Sequence, residues 1–193
     1  MRLRDVERGG RWSTRLLIQF ISMLSGVRLP DAARVAFYDR DFISPGLGQW
    51  AQRTMRGPSE WSVAERELMA AAVARRNSCA FCIGAHTAVA MRGMDPQTVT
   101  AALEDPASAP ISPYLRAAMA FNDKLTVDPG LMTADDARAA LASGMTTQQL
   151  EDASAVAALF NIITRYADAL NFSIPSDLDF GKSAGTLLKR GYH

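Results

Sequence analysis

The chain has 193 residues, of which 48% are hydrophobic and 21% charged, proportions that suit a globular domain with a substantial core. A formal net charge of +1 argues against a nucleic-acid partner, because phosphate binding needs clustered Lys and Arg in excess. Two cysteines cannot build the multi-bridge framework of a small secreted domain, so a Cys-x-x-Cys pair reads as catalytic or metal-binding in a cytoplasmic protein.

Along the chain, helix punctuation recurs and no Asn-Gly-type hairpin joins alternating apolar runs, so the expected fold is all-α. The predicted helices are 11–25, 30–40, 45–56, 63–76, 79–92, 96–104, 113–126, 134–142, 147–171 and 177–190. The first is amphipathic, with Leu16, Leu17, Phe20, Ile21 and Leu24 on one face; it is expected to dock on the core or on a neighbouring subunit. A membrane role is the weaker reading, because its polar face carries little beyond Arg11 and Arg15 and the apolar stretch falls far short of the roughly 20 residues that cross a bilayer. With Asp5 and Glu7 before it and no small-residue cleavage site after it, no signal peptide is expected.

Ser44-Pro45, Asp95-Pro96 and Ser112-Pro113 each place a capping side chain before a proline at the first helical position, where the missing N–H is harmless. Ser62-Val-Ala-Glu65 and Thr133-Ala-Asp-Asp136 read as capping boxes. Gly93 and Gly144 are expected as left-handed caps. An internal repeat lies at an offset of 84 residues, with Ser62–Glu67 over Thr146–Glu151 and Asn77 over Asn161. At the positions of Cys79, Cys82 and His86 the second copy has Ile163, Tyr166 and Leu170, which leaves the chemistry to the first copy. The expected organisation is an N-terminal helical arm over 1–57 and a duplicated helical domain over 58–193.

The chemistry concentrates between Glu67 and His86, where Cys79-Ala-Phe-Cys82 and His86 gather both cysteines and one of two histidines within eight positions. Ser78 is expected to cap a helix beginning at Cys79, which places both thiols near a helix N-terminus, where the dipole favours thiolate. Three-residue spacing lets the two sulfurs meet, and His86 shares their helical face. If the helices over 63–76 and 79–92 run antiparallel, Glu67 reaches His86, giving a relay from Glu67 through His86 to Cys82 with Cys79 as disulfide partner. Two other readings stand beside this one. Zinc bound by Cys79, Cys82 and His86, with Glu67 or His193 as fourth ligand, is one; two inert core cysteines is the other. Phe81, Met69 and Met91 read as core packing.

With its Glu-x11-Cys-x2-Cys-x3-His pattern, met by Glu67, Cys79, Cys82 and His86, the chain resembles the alkylhydroperoxidase D and carboxymuconolactone decarboxylase superfamily. Ser62-x-x-Glu-Arg-Glu67-Leu, Asn77-x-Cys-x-Phe-Cys82 and the run from Ala157 to Leu170 resemble its peroxidase-related branch, and the likeness covers roughly 58–172. The resemblance implies an all-helical, duplicated, homo-oligomeric enzyme that reduces hydroperoxides without metal or organic cofactor. Cys82 would then be the peroxidatic thiol, Cys79 the resolving thiol, and His86 with Glu67 the proton relay. A lipoyl or thioredoxin-like dithiol would be the implied reductant. The best-known members carry a further histidine where this chain has Phe81, so relay through a second imidazole is missing. The alternatives are a lactone decarboxylase, whose branch acts without a Cys-x-x-Cys pair, and a non-catalytic redox-sensing or zinc-holding oligomer.

Overall fold

In this computed structural model, which describes residues 1–38 and 44–192, the chain is built from α-helices α1 Arg4–Arg8, α2 Trp12–Ser25, α3 Asp31–Tyr38, α4 Gln49–Arg56, α5 Val63–Arg76, α6 Ala80–Ala90, α7 Pro96–Glu104, α8 Pro113–Val127, α9 Ala134–Ala142, α10 Thr147–Leu170 and α11 Asp177–Arg190. The described residues contain no strand. The caps explain the boundaries. Asp95 and Ser112 accept from the backbone N–H groups of Thr98 and Leu115, each with proline next in the chain. Ser62 with Glu65, and Thr146 with Gln149, form reciprocal capping boxes on α5 and α10. Asp136 closes the α9 box by accepting from the Thr133 N–H at 2.7 Å.

Three local expectations are corrected. Ser44 does not cap an α-helix: residues Ser44–Gly48 form a π-helical turn that leads into α4. Gly93 is not in the left-handed region, which Gly144 does occupy; its small size instead admits Ala64, whose Cβ lies where a side chain would stand. Residues Arg4–Arg8 form a short helix that no sequence signal announced. The end of the predicted 30–40 helix lies outside the described residues.

Helix α5 is the axis of the molecule and packs on α4, α6, α7, α8 and α10. Its buried residues Leu68, Met69 and Val73 meet Met55, Leu115, Leu159 and Phe160 in the larger core cluster, each fully buried large side chain contributing about 2–3 kcal/mol. Trp61 is also buried there; its indole N–H donates to the Gln149 carbonyl at 2.8 Å, which removes the cost of burying that polar group. A second cluster joins Cys79, Phe81 and Cys82 to Val6 and Val35 of the arm and to Phe172 and Phe180.

The repeat is structural. At the offset of 84 residues, α4 and α5 correspond to α9 and α10, and Asn77 donates from Nδ2 to Asn161 Oδ1 at 3.0 Å. The copies diverge at one place. Helix α10 runs unbroken through Ile162 and Ile163, whereas the first copy breaks at the equivalent Ser78 and Cys79. Ser78 is left-handed at φ 58°, a conformation that L side chains adopt only at some cost.

On α6, Gly84 lies against α11, and an added methyl group would overlap the Phe180 ring. Gly84→Ala is therefore expected to destabilise the fold by about 1–3 kcal/mol through overpacking, measured as a shift in urea midpoint at unchanged slope. A neutral result would show that α11 yields freely at this contact.

Candidate active site

The break at Ser78 decides the site. Cys79, not Ser78, is the N-cap of α6, in extended conformation at φ −84° and ψ 92°. The Cys79 sulfur thus stands where a Ser or Asp oxygen usually caps a helix, with Cys82 at the third helical position. Both cysteines are free thiols, 0% and 1% exposed respectively. The Cys82 thiol donates toward the Cys79 sulfur and the Cys82 backbone N–H also faces it; these lower the Cys79 thiol below its ordinary value against opposing burial and the Asp168 carboxylate. The backbone contact is longer than a formed cap hydrogen bond, so the thiol donor is the stronger influence. Cys82 shifts the other way: serving as donor to Cys79, and then burial, push its thiol far up. The pair therefore releases one proton readily and holds the second.

Around the next turns of α6 stands His86. Its Nδ1 lies 2.6 Å from Glu67 Oε2, and both side chains are buried. The antiparallel packing of α5 on α6 makes this contact. The imidazole edge also meets the Phe160 ring, centroid to centroid 4.4 Å. Ring orientation is fixed by the carboxylate on Nδ1. His86 shares a helical face with Cys82 at a four-residue spacing; among the described residues no hydrogen bond joins the imidazole to either sulfur, so the last link of the relay rests on register.

Two partners of Glu67 carry no sequence signal. Arg56, at the end of α4, places Nη2 2.7 Å from Glu67 Oε1. Tyr192 donates its hydroxyl to the same oxygen at 3.3 Å, lies under the Arg56 guanidinium at 5.1 Å, and has its backbone N–H bonded to Gln52 Oε1 at 2.8 Å. Burial pushes the Glu67 carboxyl up, but the charge and hydrogen bond of His86, followed by those of Arg56, outweigh it and hold the group below the ordinary carboxylate range. Burial and the Glu67 charge raise the Tyr192 phenol well above its usual value, so it serves as a hydrogen-bond donor.

The arrangement can move a proton between a positioned imidazole and a thiol pair, and can join two sulfurs in a disulfide. Among the described residues, no group of three or more His, Cys, Asp and Glu side chains is arranged to hold a metal ion; His193 lies outside them. The largest cavity is elsewhere, in the N-terminal arm.

The profile of the carboxymuconolactone decarboxylase family matches residues 47–124, from the π-helical turn to α8, and so covers Glu67, both thiols and His86. A peroxidase-related protein from Silicibacter sp. TM1040 superposes on the chain with a TM-score of 0.73 at 21% identity, covering 86% of this chain and 87% of its own. The chain belongs to the AhpD-like, carboxymuconolactone decarboxylase superfamily. A second superfamily structure, an alkylhydroperoxidase AhpD core from Ralstonia eutropha JMP134, gives a TM-score of 0.72 at 20% identity, covering 88% and 89% of the two chains. The debrominase Bmp8 has a TM-score of 0.70 at 15% identity, with 90% and 91% covered, and a cysteine-to-alanine form of it is known in complex with 2,3,4-tribromopyrrole. At these identities the likeness is one of fold. None of the curated proteins matches the sequence.

Proposed function

We propose that this protein is a thiol-dependent hydroperoxide reductase acting through Cys82, Cys79, His86 and Glu67. The observation that carries this reading is the buried Glu67–His86 pair on the same helical face as two hydrogen-bonded thiols. In the resting pair, Cys82 holds the shared proton. Transfer of that proton to the imidazole frees the Cys82 thiolate, which attacks the outer peroxide oxygen. The O–O bond breaks, the alkoxide leaves as an alcohol with the proton from His86, and Cys82 becomes a sulfenic acid. Attack by Cys79 then expels water and forms the disulfide, which an external dithiol of lipoyl or thioredoxin-like type reduces by exchange. The protein supplies both electrons from its own thiols and needs no metal or organic cofactor. We place it in the cytoplasm, where dithiols are re-reduced, as a homo-oligomer.

The sealed sulfurs give the reaction a conformational step. Val6, Val35, Phe172 and Phe180 cover the thiol pair, so the arm or α11 has to yield for substrate to arrive. In the deciding experiment, reduced protein is mixed with an alkyl hydroperoxide. Alcohol and Cys79–Cys82 disulfide are expected in equal amounts, with continuous turnover once lipoamide is added. Disulfide formation without alcohol would overturn the reading in favour of plain thiol–disulfide exchange.

A second reading, reductive dehalogenation, draws on the debrominase fold neighbour and on the aromatic wall at the thiols. Phe81 packs against Phe172 at 5.2 Å and Phe180 at 6.1 Å, a setting that suits a flat apolar substrate. In that chemistry an aryl bromide and two thiols give the arene, bromide, a proton and the disulfide. Release of bromide from a bromopyrrole, with hydroperoxide untouched, would favour it.

A further inference from the structure

The N-terminal arm places apolar surface and positive charge side by side. On α2 only Ile18 is buried, while Trp12, Met23 and Leu24 are 75%, 70% and 69% exposed and Leu16, Leu17 and Phe20 are exposed with them. The apolar face expected to dock on the core therefore does not. The next face of the same helix, through Arg15, Ile18, Gln19 and Ser22, lines a cavity of about 570 Å³ that Arg8, Arg28 and Arg34 complete. Folding thus adds three arginines to the polar side of a helix whose own sequence offers few. Arg28 is paired with Glu7 and Asp31, and Arg34 lies 4.0 Å from Asp31. Arg8 and Arg15 form no ion pair with the described residues. Residues 1–28 hold six of the 21 Lys and Arg but only two of the 20 Asp and Glu, so this arm is basic and the rest of the chain is net acidic.

We propose that residues 1–38 dock this protein on the surface of an anionic phospholipid bilayer, with the Trp12–Leu24 face of α2 at the headgroup–acyl boundary and the four-arginine cavity against lipid phosphates. Charge complementarity selects this occupant. A second copy seated face to face would bring two arms of the same positive excess together, whereas an anionic leaflet attracts both the cations and, through them, the apolar face. Arg15 and Gln19 border the apolar face in the helical register, the position that headgroups occupy when such a helix lies in the plane of the interface. Trp12 at one end suits the same boundary. Among the described residues no helix is long and apolar enough to cross a membrane, so the arm lies on the bilayer.

The test is flotation of the full chain with vesicles of phosphatidylcholine alone and of phosphatidylcholine with phosphatidylglycerol. Binding is expected only to the anionic vesicles and is expected to be lost in high salt. Because the altered side chains are exposed, Leu16→Glu/Phe20→Glu should keep the native circular dichroism and melting temperature while binding falls at least tenfold. Arg8→Gln/Arg15→Gln should weaken binding about twentyfold, at roughly fivefold per arginine. Equal binding to neutral vesicles, or none to either, would overturn the proposal. So would a smaller oligomer by light scattering in the α2 variant without any vesicle binding, which assigns the face to a second copy. Inorganic phosphate bound by the same arginines without vesicle recruitment would reduce the cavity to a site for a soluble anion.

Discussion

A Cys82→Ser protein is expected to consume no hydroperoxide above the uncatalysed rate, a loss of about a thousandfold or more. Cys79→Ser should consume one equivalent and stop with Cys82 as a sulfenic acid, trapped by dimedone and located by mass spectrometry. The resting ionisation should point the other way. Cys79 receives the Cys82 thiol and is the sulfur whose thiolate is favoured, so ultraviolet titration should show a thiolate forming below the ordinary 9.0 of a cysteine thiol and missing in Cys79→Ser. The sulfur that ionises first and the sulfur that attacks are thus distinct, and His86 connects the two states by taking the Cys82 proton. Peroxide consumption that survives in Cys82→Ser and disappears in Cys79→Ser would exchange the roles.

Glu67→Gln should destabilise the protein by about 3 kcal/mol, because it leaves the Arg56 guanidinium nearly buried without its counter-charge. Adding Arg56→Met should restore most of that stability, since an apolar side chain can replace a buried charge once its partner has gone. Activity should not return with it. A glutamine amide still contacts His86 but cannot accept charge, so the double variant separates folding from proton transfer. Stability as a function of pH offers an independent check. The folded carboxyl of Glu67 is held below its ordinary 4.5, so its contribution is complete above the unfolded value and is lost as pH falls through the lower, folded one. Acid unfolding of the wild type should contain this component below about pH 4.5, and Glu67→Gln should lack it. Parallel acid curves for the two proteins would show that Glu67 is not charged in the native state.

Much of this architecture is legible in the sequence because helix ends write themselves locally. Ser62–Glu65, Asp95-Pro96, Ser112-Pro113 and Thr146–Gln149 place four helix starts where they are observed. The pairing of Glu67 with His86 follows from two helices joined by a short turn, so spacing alone foretells it. Arg56 and Tyr192 could not be found in this way. Tyr192 is 125 positions from Glu67, and its approach depends on the packing of α11 against α6, which no short-range rule encodes. The cap at Cys79 was displaced by one residue because Ser78 is the better capping side chain but sits in a left-handed conformation that takes it out of line. The helix over 4–8 was missed because five residues with three charges show no apolar period.

Asn77 and Asn161 occupy the same place in the two copies of the core and are hydrogen-bonded to each other. Like side chains meet in this manner on a dyad, where two identical subunits face one another. The chain carries the imprint of an ancestral homodimer fused into one polypeptide. Fusion released the two copies from changing together. One could bend at Ser78 and place sulfur at a helix start, while its twin kept the straight, isoleucine-bearing helix that supports it.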